Sequence, residues 1–313
     1  AGIQTKVASQ LFETSTSTGN RKFGYGTIVI PLQQQQQSAD AVKQLLNDAA
    51  KGTGVTVYAL TTGLSAGGID LGSGSLLTTR VPKILLLGGN GTSSNDMGEI
   101  WHLLDQRMHI PATIVETERL GSINMAGYNI VIMPEGTYQS IDPAAIDKLR
   151  SWVSNGGTLL AFEQAGRFLA RAGITKTLYR NADVKYDSTL MLPYFLRSDE
   201  TRARDMPGSI FEARLDPSHP LCYGYRSNTM SVFKANTLFM DQNNNPYDSP
   251  VLLTDNPLLS GYLHRDYRQV VKGTAVVNTE QVGRGKVITY SDNMSFRAFW
   301  LGTARLLLNA LFF

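Results

Sequence analysis

From Lys83 onward, unbroken apolar runs alternate with stretches of helical period: KILLLGGN, DMGEIWHLLDQRM, PATIVET, YNIVIMPEG, PAAIDKLRSWVSNGG, TLLAFEQAG and GRFLARAG. Runs such as ILLL and IVIM lack the inside–outside alternation of a half-solvated strand, which is how strands covered on both faces read. Glycine-bearing turns follow them, and amphipathic segments follow many of the turns. The pattern predicts a doubly wound α/β domain built on a mostly parallel sheet.

The flanking regions read differently. Upstream, FGYGTIVIP carries the β-branched run of a buried strand, SADAVKQLLNDAAKGTG has helical period entered at Ser38 and closed on glycine, and VTVYALTTG predicts a second strand. Residues 1–80 are thus expected to form an N-terminal α/β segment, with the glutamine run LQQQQQS a polar loop before its helix. The main domain is expected over 81–313. Within it, SIFEARLD, SVFKAN, VLLTD, GTAVVNTEQVG and KVITYSD predict antiparallel strands, a β-rich extension or insertion over about residues 175–290. The final FRAFWLGTARLLLNALFF predicts a closing helix on the sheet.

Composition narrows the function classes. At 313 residues and 42% hydrophobic, the chain can bury a full-sized core. A formal charge of +3, from 29 basic and 26 acidic residues, offers no basic stripe for a phosphate backbone, so nucleic acid is not an expected partner. No apolar run approaches the roughly 20 residues of a membrane helix, so no membrane span is expected. A single cysteine, Cys222, excludes an internal disulfide and a Cys-rich zinc module. The start, AGIQTKV, suggests a piece of a longer protein.

Several stretches invite chemistry. In GEIWHLLDQRMHIP, His102, Asp105 and His109 fall within an arc of about 60° on a helical wheel, with Glu99 one step further, which resembles a metal face. The same segment carries Met97, Trp101, Leu104 and Met108 on a stripe suited to burial, and the two remaining histidines, His219 and His264, sit in turn-like contexts. A helix with polar edges is the favoured reading, and no metal ligand is assigned. HPLCYGY places Cys222 among proline, glycine and tyrosine with no helix behind it, so Cys222 reads as a small apolar residue rather than a nucleophile. The strand-to-helix turn where a nucleophile elbow belongs is TLLAFEQAGRFLA, and it holds Glu163, Gln164 and Ala165 with neither serine nor cysteine. In DNMSFRAFW, Arg297 sits among aromatics, and stacking or a carboxylate pair is favoured over an anion site. Ligands of open α/β sheets bind beyond the strand C-termini, so the expected rim is Gly88, Gly89, Asn90, Glu135, Gly136, Glu163 and Gln164.

Taken together, IPLQQQQQSADAVKQLL, GIDLGSGS, GEIWHLLDQR, YNIVIMPEGTY, HPLCYGY, LLSGYL and above all SDNMSFRAFWLGTARLLLNALFF resemble the C-terminal region of large bacterial zinc carboxypeptidase-like proteins of the carboxypeptidase A class. The resemblance runs from about Gly24 to Phe313. It implies a class I glutamine amidotransferase-like, flavodoxin-like domain behind a metallopeptidase domain, and a periplasmic or secreted parent whose hydrolase chemistry uses zinc. The peptidase motif, a histidine with glutamate three positions later, does not occur at any of the four histidines, so no zinc ligand carries over and no cofactor is expected in this chain. The amidotransferase Cys-His-Glu triad lacks its cysteine at FEQAG. The resemblance therefore implies a noncatalytic accessory domain whose partners are the upstream peptidase domain and a peptide substrate. A stand-alone module binding a peptide or glycan on a degenerate amidotransferase-like fold is the alternative.

Overall fold

A computed structural model of the chain describes residues 2–182, 191 and 193–313, in two compact units. The smaller unit comprises residues 1–81, 217–226 and 312–313. In it, Lys6–Ala8 pairs antiparallel with Ile28–Val29 and Leu76–Thr78, and Phe12–Thr16 pairs antiparallel with Gly19–Phe23 and Gly67–Gly68. Its small core is Ala8, Phe12 and Leu76, with Phe23 stacked on Phe12. The predicted helix spans Ala39–Thr53, with the Ser38 hydroxyl accepting from the Ala41 N–H and Gly54 closing it in the left-handed region. The two strands expected on either side of it are not formed as such. Of residues 23–31 only Phe23, ending the strand Gly19–Phe23, and Ile28–Val29 pair, and residues 55–63 form no strand at all and are mostly exposed. β-branched residues without a partner strand carry no ladder hydrogen bonds, and propensity alone does not make a strand.

The larger unit, residues 82–216 and 227–311, holds an 11-stranded mixed sheet. Its elements are β1 (Ile84–Gly88), α1 (Ser94–Trp101), β2 (Ala112–Glu116), β3 (Ile130–Met133), α2 (Pro143–Ser154), β4 (Thr158–Phe162), α3 (Gln164–Arg171), β5 (Ser209–Leu215), β6 (Thr229–Lys234), β7 (Val251–Gly261), β8 (Ala275–Val282), β9 (Gly285–Tyr290) and α4 (Ala304–Ala310). Two short strands, Tyr179–Arg180 and Phe239–Met240, pair with one another beside β8. The parallel part runs β2-β1-β3-β4-β9, the flavodoxin-like order, and β8, β7, β5 and β6 continue it antiparallel.

Period-two geometry sends alternate residues to opposite faces. Leu85, Leu87, Val131, Met133, Leu159 and Ala161 pack with Leu149 and Val153 of α2 and Ala165 and Leu169 of α3. On the other face, Gly88 lies against Met97 of α1, and the Tyr290 hydroxyl donates to the Leu306 carbonyl of α4. Both faces are covered, which makes this a doubly wound α/β domain as the unalternating runs predict. Helix α2 starts at Asp142, whose carboxylate accepts from the Ala144 N–H, with Pro143 in its first turn. Among the described residues no helix is long and apolar enough to cross a membrane.

Three expectations are corrected. KVITYSD, read as an antiparallel strand, contributes β9, which does pair antiparallel with β8 but on its other edge pairs parallel with β4 and completes the parallel set. The closing helix is shortened to Ala304–Ala310, because Arg297 and Ala298 adopt left-handed backbone and break the period. The helix of the GEIWHLLDQR stretch passes into a π-helical turn at His102–Arg107, and the extra residue per turn shifts the face. Ile100, Leu103 and Leu104 are buried, while Trp101 and Met108 of the expected stripe are exposed.

The tightest approach in the sheet is at Gly285, where a Cβ would lie 2.0 Å from the Val153 carbonyl and 2.3 Å from that of Gly157. Gly285→Ala is expected to lower stability by about 3 kcal/mol, since backbone rather than a flexible side chain must give way. A urea unfolding midpoint equal to that of the parent would contradict this.

Candidate functional site at the C-terminal edge of the parallel strands

Loops leaving the ends of β1, β3, β4 and β9 meet at one edge of the larger unit. The β1 and β3 loops are locked together: Thr92 bridges Gly136, the Thr137 N–H donates to the Gly91 carbonyl at 2.9 Å, and the Ser93 N–H donates to the Glu135 carbonyl at 2.7 Å. A Cβ at Gly136 would sit 2.3 Å from the Gly91 carbonyl oxygen, so the lock requires glycine there. Tyr138 is buried beneath, its hydroxyl donating to the Pro134 carbonyl at 2.7 Å. Burial, with the Glu135 and Asp96 charges added, pushes that phenol well above its ordinary range.

Backbone strain gathers at the same place. Among the described residues, the non-glycine positions with positive φ are His109, Tyr138, Glu163, Arg297 and Ala298, and all but His109 lie in the loops after β3, β4 and β9. Glu163 holds φ 51° and ψ −116° at the turn from β4 into α3. Its N–H donates to the Tyr290 carbonyl at 2.8 Å, and its own carbonyl accepts from the Gly166 N–H at 3.1 Å. A Cβ at Gly166 would meet Thr289 at 2.3 Å, so helix and strand approach as closely as an elbow demands. This is the backbone of a nucleophile elbow, carrying a glutamate.

The Glu163 carboxyl is held from the antiparallel side. Lys234 and Asp292, both 2% exposed, form an ion pair at 3.1 Å, and the Lys234 ammonium also donates to Asn236 Oδ1 at 2.9 Å and to the Leu238 carbonyl at 2.7 Å. The Asn236 amide, thus fixed, donates to Glu163 Oε2 at 3.0 Å and to Asp292 Oδ1 at 3.1 Å. Next to it the Gln164 N–H donates to Glu135 Oε2 at 2.7 Å. Burial pushes the Glu163 carboxyl well above its usual range, with the Asp292, Glu135 and Asp96 charges adding and Lys234 opposing. Burial raises Glu135 too, against the Gln164 N–H.

A second group surrounds α1. The Asn293 amide donates at 2.6 Å to both Asp96 Oδ1 and Glu99 Oε2. The Arg297 N–H also supports the Glu99 carboxylate, although burial still raises the pKa of Glu99. Two clefts open on this edge. One, of about 360 Å³, is lined by Gln164, Arg167, Asp205, Met206, Asn236 and Leu238 among others. The other, of about 430 Å³, is lined by Ser94, Asn95, Gly98, Glu99, His102, Arg297 and Ala298.

Of the expected rim, Gly88 ends β1 as a buried residue, Gly89 turns at φ 90°, and the Asn90 carbonyl accepts from the Thr117 hydroxyl at 2.8 Å. Glu135, Gly136, Glu163 and Gln164 cluster as described. Sequence reasoning missed Asp96, Lys234, Asn236, Asp292 and Asn293, and met Glu99 only as a neighbour of the apparent metal face. Only Asp292–Asn293, polar residues directly after a strand, gave a usable signal. His102, Asp105 and His109 do not converge, and no group of three or more His, Cys, Asp or Glu among the described residues is arranged to hold a metal ion. Cys222 belongs to the smaller unit and is fully buried.

No family model and no curated protein matches this sequence. Among solved structures, PurLQS from Thermotoga maritima is similar with a TM-score of 0.49 and 10% identity over 74% of this chain and 98% of that one. A protein described as ThuA-like from Parabacteroides merdae gives 0.48 and 13%, over 74% of this chain and 89% of its own. One described as a GMP synthase protein, from Thermoplasma acidophilum, gives 0.45 and 9%, over 74% and 94%. These weak likenesses transfer no chemistry. The doubly wound architecture stands on the strand order itself.

Chemically, the elbow presents a carboxyl where acyl-transfer enzymes present a hydroxyl or thiol. Burial and like charge hold it toward the neutral form, which is a poor nucleophile. A carboxyl whose folded pKa is raised binds a proton on folding, so its contribution to stability is greatest in acid and falls as pH rises from the unfolded value of 4.5 through the folded one. Glu163→Gln, which keeps an oxygen for Asn236, is therefore expected to melt higher than the parent at pH 8, with the difference shrinking toward pH 4. Thermal melts across that range check it, and a gap that widened in acid would contradict it.

Proposed function

We propose that this chain is a noncatalytic ligand-binding domain that takes a small ligand, or one end of a peptide or glycan, at the C-terminal edge of its parallel strands. The observation that carries the proposal is the elbow at Glu163. The strained turn that aims a side chain into the ligand crevice is kept at φ 51°, while its occupant is a glutamate tied to Asn236. Strain and perturbed carboxyls held together at a topological switch point support binding there. Without a serine or cysteine at that turn, acyl transfer through an elbow nucleophile has no attacking group.

The wider setting rests on the resemblance alone. In it, this chain is the accessory C-terminal part of a zinc carboxypeptidase-like hydrolase, the zinc belongs to an upstream peptidase domain, and the parent is periplasmic or secreted. The edge described here would hold substrate for that domain.

A panel of tripeptides and trisaccharides, titrated into the chain and followed by backbone amide NMR, tests the reading. We expect saturable shifts at Gln164 and Asn236 with at least one probe, their loss in Asn236→Ala, and no cleavage products. Cleavage of a probe, or saturable shifts confined to residues away from this edge, would contradict it.

A further inference from the structure

The cleft along α1 has its own chemistry. Asn95, Glu99 and His102 share one face of the helix and its continuation, and Gly98 between them leaves open space, since a Cβ there would meet nothing within 4 Å. The loop after β9 roofs this face through Arg297 and Ala298, both in left-handed backbone. The acidic groups are already engaged: Asp96 accepts from the Ser93 hydroxyl and the Asn293 amide, and Glu99 accepts from Asn293 and the Arg297 N–H. The Arg297 guanidinium acts on Glu99 by its charge alone and makes no hydrogen bond to a described residue. It lies 5.2 Å over the Phe296 ring, forms no ion pair with a described residue, and belongs to an exposed side chain. His102 Nδ1 is buried and has no hydrogen-bond partner among the described residues, so it needs one from a ligand or from water.

We infer that this cleft binds a zwitterionic α-amino acid, its carboxylate on the Arg297 guanidinium and its ammonium toward Glu99. The inference rests on the reading of this edge as a binding site and names its ligand. A guanidinium held over an aromatic ring offers a planar fork that matches a carboxylate. The nearby Asp96 and Glu99 disfavour a doubly charged phosphate and complement an ammonium. A volume of about 430 Å³ admits a free amino acid with its side chain over Gly98.

The test uses L-alanine, N-acetyl-L-alanine and L-alaninamide, titrated into the whole chain and followed at the Gly98 and His102 amides. We expect L-alanine to bind saturably and each blocked derivative to bind about tenfold or more weaker, as loss of a charged partner implies. Arg297→Gln should weaken L-alanine by a similar factor. Gly98→Leu, whose Cβ enters open space, should abolish binding at a melting temperature no lower than the parent's. Equal binding of the blocked derivatives, or no saturable shift with L-alanine, overturns the inference. Binding of L-alanine that survives Arg297→Gln but is lost in Asn236→Ala overturns it too, while leaving the edge itself a binding site through the neighbouring cleft.

Discussion

The larger unit is organised around a buried ammonium. Lys234 ends an antiparallel strand with its charge 2% exposed, and an ion so placed is tolerated only when every donor is satisfied. Asp292, from the loop after the last parallel strand, takes one donor; Asn236 and the Leu238 carbonyl take others. Fixing Lys234 therefore joins the end of β6 to the end of β9, and it leaves the Asn236 amide aimed at Glu163 on β4's turn. Elements distant in sequence are brought to one edge by this single requirement.

That edge concentrates two costly features. Left-handed backbone at Tyr138, Glu163, Arg297 and Ala298 coincides with the raised carboxyls of Glu99, Glu135 and Glu163. Tyr138 itself belongs to the core beneath α2 and α3, whereas Glu163, Arg297 and Ala298 stand outside it. Residues in sparsely populated conformations persist where the surroundings over-determine them, and such sites are characteristically functional. The groups gathered there are amides, a guanidinium and carboxyls, and the elbow turn itself holds Glu163, Gln164 and Ala165.

Much of the fold was legible because it is local. ILLL, IVIM and TLLAF announce buried strands by lacking alternation, and Ser38 and Asp142 mark helix starts by their capping chemistry. The elbow, too, could be located at FEQAG from strand and helix periods alone. Pairing was not legible, because KVITY reads the same whether its neighbour runs parallel or antiparallel. Nor could β-branched content at residues 55–63 disclose that no strand lies beside it. Lys234 within SVFKAN offers no sign that it is buried, since its compensating carboxylate is 58 residues away in sequence. The π-helical turn at His102–Arg107 defeated a wheel drawn at a constant angle, which is why the apparent metal face does not exist as a cluster.

The elbow carboxyl, above all, sits in a desolvated, like-charged site. Site-resolved carbon NMR of the Glu163 side-chain carboxyl, followed through a pH titration of the whole chain, measures this directly. The expected midpoint lies well above the ordinary value of 4.5. A midpoint at or below that value would show a solvated or charge-stabilised carboxylate and would contradict the claim.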